Sequence, residues 1–296
     1  MPEPARPPWV RSERRGRTVL LTIDHPPVNV LSRAVLEDLV SRLHEAEADR
    51  EARAVVLASA CEKAFGAGAD IREMESLTPT DARAHAGFGQ EATRTIERLP
   101  LPVIAAVHGV CLGGGCEVAL ACDFILASED ARFGQPEINL GVMPGWGGTR
   151  RLPRRIGAAR ARRWILTGEP VTAPQALSDG LLDRVVPRAD LLKEALALAE
   201  QLATKPPVAL AAAKFALLNA IDPGIDAGLA YELDLWARLF GTAGQRDGMR
   251  AFVSKQSYAA GGRADWDSES RGFPWERRSA APPRGKGDKA GERKSE

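Results

Sequence analysis

Short apolar, β-branched runs alternate along this chain with stretches of helical periodicity, and this alternation narrows the available folds more than any other feature. Thr18-Val19-Leu20-Leu21-Thr22-Ile23 reads as a strand. His25-Pro26-Pro27 ends it, because proline cannot continue a hydrogen-bonded ladder. Ser32 then reads as the N-cap of a helix to about Ala48, with Val35, Leu36, Leu39, Val40 and Leu43 as its apolar stripe. Further strands are expected over 54–59, 102–107 and 124–127, with helices over 80–98 and from Glu117 to Ala121. Strands separated by helices predict an α/β core with parallel strands. Beyond residue 145 the pattern turns helical, with one short strand near Leu181–Val186 and helices over 189–203, 207–220, 226–240 and 244–255.

A chain of 296 residues can bury one large core, with or without an appendage. The composition divides it into a Pro- and Arg-rich arm over 1–16, an α/β core over 17–200, a helical region over 201–258 and a tail over 259–296. The arm and the Gly-, Pro- and charge-rich tail are both expected to be disordered. Tyr231, Leu235, Trp236, Leu239 and Phe240 give one C-terminal helix a large apolar face, which suits packing within the domain or an oligomer interface.

With 44% hydrophobic and 27% charged residues, the chain has the composition of a soluble globular protein. Its net charge of +1 creates no strong field toward nucleic acid or membrane. Arg150-Arg151, Arg154-Arg155, Arg160 and Arg162-Arg163 form a local basic run, for which a solvated helix face or subunit interface is the simpler account. No apolar run reaches the length of a membrane span. The N-terminus has no apolar signal region, and Glu3 and Glu13 count against a transit peptide, so a cytoplasmic location is expected. Cys61, Cys111, Cys116 and Cys122 include no C-x-x-C pair and fit reduced, buried thiols. His108 lies near three of them, but the spacing matches no zinc pattern, and no metal site is expected.

Three segments have the make-up of an active site: Phe65-Gly66-Ala67-Gly68-Ala69-Asp70, Gly113-Gly114-Gly115-Cys116-Glu117 and Phe133-Gly134-Gln135-Pro136-Glu137. Small residues let a ligand approach backbone N–H groups, and paired carboxylates can pass protons. Together they suggest carbonyl polarisation combined with acid–base chemistry. A dinucleotide fingerprint built on Gly66-x-Gly68 fails, because Ile71 stands where its third glycine belongs. No G-x-S-x-G elbow or phosphate-binding G-x-x-x-x-G-K-[ST] loop is present.

These segments, with Gly109-Val110-Cys111-Leu112 and Gly141-Val142-Met143-Pro144-Gly145-Trp146-Gly147-Gly148-Thr149-Arg150, resemble the enoyl-CoA hydratase/isomerase (crotonase) superfamily from about Val19 to Lys255. The resemblance implies the α/β crotonase (ClpP-like) fold: a β-β-α spiral core, then a C-terminal helical trimerisation region. It assigns Ala69 and Gly114 to a backbone oxyanion hole for a thioester carbonyl. Glu117 is assigned as the base that activates water and Glu137 as the acid that protonates the α-carbon, although coupled carboxylates can share such roles.

The resemblance further implies that Ala67, Asp70 and Ile71 line the coenzyme A groove and that Gly145 helps orient the water; Trp146 stands where the family varies, and its large ring is expected to shorten or reshape the acyl pocket. Phe252 and Lys255 match positions that reach the nucleotide of a neighbouring subunit. Lys255-Gln256-Ser257 lacks the family's second basic residue, and Asp247 stands where glutamate is common. The implied activity is hydration of a 2-enoyl-CoA in a homotrimer or hexamer, with coenzyme A as part of the substrate and no separate cofactor. Isomerase, thioester hydrolase, lyase and RNA-binding members of the superfamily remain alternatives.

Overall fold

A computed structural model of the chain describes residues 8–219, 225–240, 242–256, 269–271 and 273–275. Strand β1 (Val10–Arg15) pairs antiparallel with β2 (Thr18–Ile23), so the expected disordered arm over 1–16 is ordered in its second half. Sequence patterning missed β1 because its outward positions are all charged or polar, and only Val10 is buried. The short β3 (Val30–Leu31) leads into helix α1 (Arg33–Ala48), which Ser32 caps by accepting from Val35 N. Strand β4 (Ala54–Ser59) follows, then β5 (Ala64–Gly66), β6 (Gly68–Ala69), the single-turn α2 (Ile71–Met74) and the long α3 (Pro79–Arg98).

The next unit runs β7 (Val103–Val107), β8 (Val110–Leu112), α4 (Gly114–Leu120), β9 (Phe124–Ser128) and β10 (Arg132–Gly134). A 3₁₀ turn over Pro136–Leu140 and helices α5 (Gly148–Ile156) and α6 (Ala158–Thr167) come next. Then follow β11 (Val171–Thr172), α7 (Ala173–Asp179), β12 (Arg184–Val186) and α8 (Leu191–Ala203). The chain continues into α9 (Pro207–Asn219), α10 (Ile225–Leu239) and α11 (Ala243–Val253).

The largest sheet has the order β1-β2-β4-β7-β9-β12, parallel throughout except at the β1 edge. Both of its faces are covered, as a parallel sheet requires. In β4, Val55 and Leu57 enter the core beneath α1 and α3, while Ala54, Val56 and Ala58 enter the core beneath α8. This is the two-residue period of a strand read on both sides. A second sheet, β11-β10-β8-β5, and the two-stranded β3-β6 stand beside it and carry the glycine-rich loops.

Helix α9 is tied to the core by Lys214, whose Nζ donates to Asp123 Oδ2 at 2.7 Å and to the Leu101 carbonyl at 3.0 Å. Within the tail expected to be disordered, residues 269–271 and 273–275 are described, and the rest of 259–296 lies outside the described residues. Phe273 and Trp275 are buried against Phe215 of α9 and Leu235 of α10, forming a small separate core. Two large rings in a polar, glycine-rich context carry enough apolar surface to dock a segment that composition reads as tail. The arginine run is largely committed to structure, since Arg151 pairs with Glu97, Arg155 with Asp183 and Arg160 with Asp179. Among the described residues no helix is long and apolar enough to cross a membrane. The four cysteines are buried as free thiols, and the His108 Nε2 lies 2.8 Å from the Cys61 carbonyl.

Candidate active site

The glycine-rich segments converge because strand pairing brings them together. Leu31 of β3 lies opposite Ala69 of β6, and the Gly113 N–H donates to the Gly134 carbonyl. Asn29, buried with a left-handed φ of 52°, holds the first loop from below. Its side chain donates to the carbonyls of Ile23 and Phe65 and to Ser59 Oγ, and its own carbonyl accepts from Ala67 N. A cavity of about 370 Å³ opens between these loops and α3. Its mouth is apolar and open to solvent at Ile71, Leu140, Val142 and Met143.

Glu117 sits in the first turn of α4 and is almost fully buried. Its Oε1 accepts from the backbone N–H of Trp146 and of Gly148, each at 2.7 Å. Burial pushes its carboxyl above the ordinary range, while the N–H groups of Gly148 and Trp146 and the Arg151 guanidinium oppose that shift. Glu137, in the 3₁₀ turn, is held less well: its own backbone N–H is the one donor that favours its anion, and its Oε2 is buried without a hydrogen-bond partner among the described residues. Burial, reinforced by the charge of Glu117, raises its pKa to about 7. The two carboxyls therefore line one cavity in unlike surroundings, one favoured as an anion relative to the other.

The turn that holds Glu117 is itself clamped by α3. Arg151 forms a two-point ion pair with Glu97, both contacts at 2.6 Å, and donates to the Trp146 carbonyl at 2.6 Å. Thr93 Oγ1 donates to the same carbonyl, and Gln90 Nε2 donates to the Gly145 carbonyl. Bidentate pairing of this kind fixes geometry as well as charge. The indole of Trp146 is wedged between two glycines: a Cβ would fall 2.2 Å from its Nε1 at Gly89 and 2.3 Å from its Cζ3 at Gly114.

The model of the Enoyl-CoA hydratase/isomerase family matches residues 13–262. The chain belongs to that family. A short-chain-enoyl-CoA hydratase of Clostridium acetobutylicum is 40% identical over 245 residues, covering 82% of this chain and 94% of its own. A probable enoyl-CoA hydratase of Rhizobium meliloti is 44% identical over the same length and shares. The crystal structure of an enoyl-CoA hydratase from Bacillus anthracis superposes with a TM-score of 0.81 at 36% identity, covering 85% of this chain and 98% of that one. The fold is thus the crotonase fold of this hydratase/isomerase family.

Most of the residues singled out from sequence meet at the cavity: Ala67, Ala69, Ile71, Gly114, Glu117, Glu137, Gly145 and Trp146 are all in its wall. Asp70 is not. Its side chain caps α2 by accepting from Arg72 N at 2.9 Å. Lys255 is exposed just past α11 and lies outside the wall of this protomer's cavity. Phe252 belongs to α11, and its side chain is outside the described residues. Sequence reasoning missed Met74, Leu77, Ala82, His85, Leu140, Val142 and Met143. For Ala82 and His85 a signal existed, since a spacing of three puts them on one face of a helix. The Arg151–Glu97 clamp had none, because its partners are 54 residues apart.

Proposed function

We propose that this protein is an enoyl-CoA hydratase, adding water across the 2,3 double bond of a 2-enoyl-CoA to give a 3-hydroxyacyl-CoA. The observation that carries the reading is the pair of glutamates on one cavity, Glu117 held by two N–H donors and Glu137 raised to about 7. In this scheme ionised Glu117 takes a proton from water as the oxygen bonds to the β-carbon. Protonated Glu137 gives its proton to the α-carbon, and a proton then returns from Glu117 to Glu137 through solvent. Each transfer contributes about 10²- to 10⁴-fold.

The N–H groups of Ala69 and Gly114 hold the thioester oxygen as negative charge develops on it. Gly114 opens α4, so its N–H has no partner within the helix and carries the positive end of the helix dipole. A donor of this type is worth about 3 kcal/mol of barrier. Every group in the scheme belongs to the protein, and coenzyme A enters as part of the substrate. Free buried thiols suit a reduced, cytoplasmic setting.

The same reading includes a homotrimer or hexamer, in which Phe252 and Lys255 reach coenzyme A bound to a neighbouring subunit. Exposed Leu229, Leu233 and Trp236 on α10, with Phe240 just beyond it, support an assembly that covers them. The deciding experiment is hydration of crotonyl-CoA, followed by loss of the conjugated thioester's ultraviolet absorbance, with Glu137→Gln beside the parent. Turnover in the parent and its collapse in the variant are expected. A parent inert on crotonyl-CoA but active in shifting the double bond of a 3-enoyl-CoA would replace hydratase by isomerase.

A further inference from the structure

Helix α3 forms one wall of the cavity with Ala82, His85 and Ala86. Behind it lies a second hollow of about 280 Å³, lined by Arg33, Leu36, Asp81 and Phe88 among others. The two spaces share two wall residues, Leu77 and His85. The imidazole therefore stands between them, with ring centroids of His85 and Trp146 6.4 Å apart. Its Nε2 is buried and has no hydrogen-bond partner among the described residues. The polar groups of the second hollow are engaged elsewhere: Arg33 pairs with Glu37, and Asp81 accepts from Thr78. The cavity wall over residues 74–86 also holds Met74, Leu77, Ala82 and Ala86, none with a strong hydrogen-bonding side chain.

A buried ring nitrogen without a partner is unfavourable until a ligand atom meets it, and such groups in native structures call for an explanation. The glutamates and the oxyanion donors account for the thioester end of the substrate but leave this nitrogen unused. We propose that His85 is a specificity-determining residue: its imidazole hydrogen-bonds an oxygen carried on the acyl group, so the protein favours oxygen-bearing acyl-CoA substrates over hydrocarbon ones. The proposal rests on the acyl-CoA reading above. A neutral imidazole offers one donor and one acceptor, so a hydroxyl suits Nε2 in either tautomer, whereas a carboxylate or carbonyl needs Nε2 to carry the proton.

The test is calorimetric binding of saturated CoA thioesters, which are not turned over, to the full chain. Chains of four, six and eight carbons are compared with and without a terminal hydroxyl, and with a terminal carboxylate. At one chain length an oxygenated thioester is expected to bind the parent roughly three- to tenfold more tightly than its hydrocarbon counterpart. His85→Leu removes that preference and His85→Gln retains part of it. Because the preference is a ratio within one protein, a general loss of binding in a variant cancels. Equal binding of all pairs by the parent, or an unchanged preference in His85→Leu, overturns the proposal. Crotonyl-CoA hydration by the parent is scored separately. An inert parent that still shows the His85-dependent preference loses the reaction assignment and keeps the binding one.

Discussion

Trp146 and Gly114 are in direct contact: a Cβ at Gly114 would lie 2.3 Å from Cζ3 of the indole. The residue that opens α4 toward the cavity is thus also the floor on which the cavity's largest side chain rests. Gly114→Ala is expected to displace the ring or the helix start, costing about 1–3 kcal/mol of stability as overpacking. Activity should fall further than stability, because the same shift moves the Gly114 N–H. Thermal unfolding and crotonyl-CoA turnover below the transition separate the two effects. Normal turnover in a stable variant would show that the ring yields without moving this N–H, against the expectation.

Trp146→Ala empties part of the cavity wall without touching either carboxylate. The expected result is a shift of kcat/KM toward longer or bulkier acyl chains, with a loss of folding stability of about 3–5 kcal/mol. An unchanged chain-length preference would remove Trp146 from the acyl site.

The pKa of Glu137, raised to about 7, predicts how rate and stability respond to pH. As the proton donor it works in its protonated form, so kcat/KM should decline above about pH 7, and the decline should be absent from whatever activity Glu137→Gln retains. For stability, the folded state holds this proton more tightly than the unfolded chain, whose glutamates titrate near 4.3. Its stabilising contribution is complete below that value and is lost as pH rises through about 7. Denaturation of parent and Glu137→Gln across this range should show the parent losing stability relative to the variant as pH increases. A gap independent of pH would contradict a raised pKa.

Arg151 lies outside the cavity wall but donates to the Trp146 carbonyl, and its charge opposes the rise that burial imposes on the Glu117 carboxyl. Arg151→Met should therefore raise the pH at which Glu117 ionises, moving the acid limb of the rate profile upward. Arg151→Lys keeps the charge but loses the two-point pair with Glu97, so it should restore the limb better than the rate. A uniform drop in rate with no movement of the limb would reduce Arg151 to a structural role.

Phe273 and Trp275 lie beyond the residues matched by the family model, yet they are buried against α9 and α10. Trp275→Ala should destabilise the helical region by about 3 kcal/mol. Truncation after residue 262 should do so at least as strongly. Unfolding followed by heat or urea would read both, and coincident curves for parent and truncated chain would show that the segment contributes nothing.

Much of the architecture follows from local pattern. The runs 18–23 and 54–59 became strands at those bounds, and Ser32 caps α1, because period and capping chemistry act within a few residues. The edge strand β1 and the docked Phe273 and Trp275 escaped, since charged and glycine-rich surroundings outweigh a few apolar positions in any local reading. Asp70 lies outside the cavity wall, its side chain engaged in the local turn that opens α2.

At the site, the sequence by itself determined the chemistry available: two glutamates, glycine loops and the order of the segments that carry them. Only the tertiary structure decided how the two carboxyls differ. Glu117 meets the N–H groups of Trp146 and Gly148, 29 and 31 residues away, while Glu137 meets no donor at Oε2. Burial and hydrogen bonding are properties of the assembled neighbourhood, and they set which carboxyl releases its proton first.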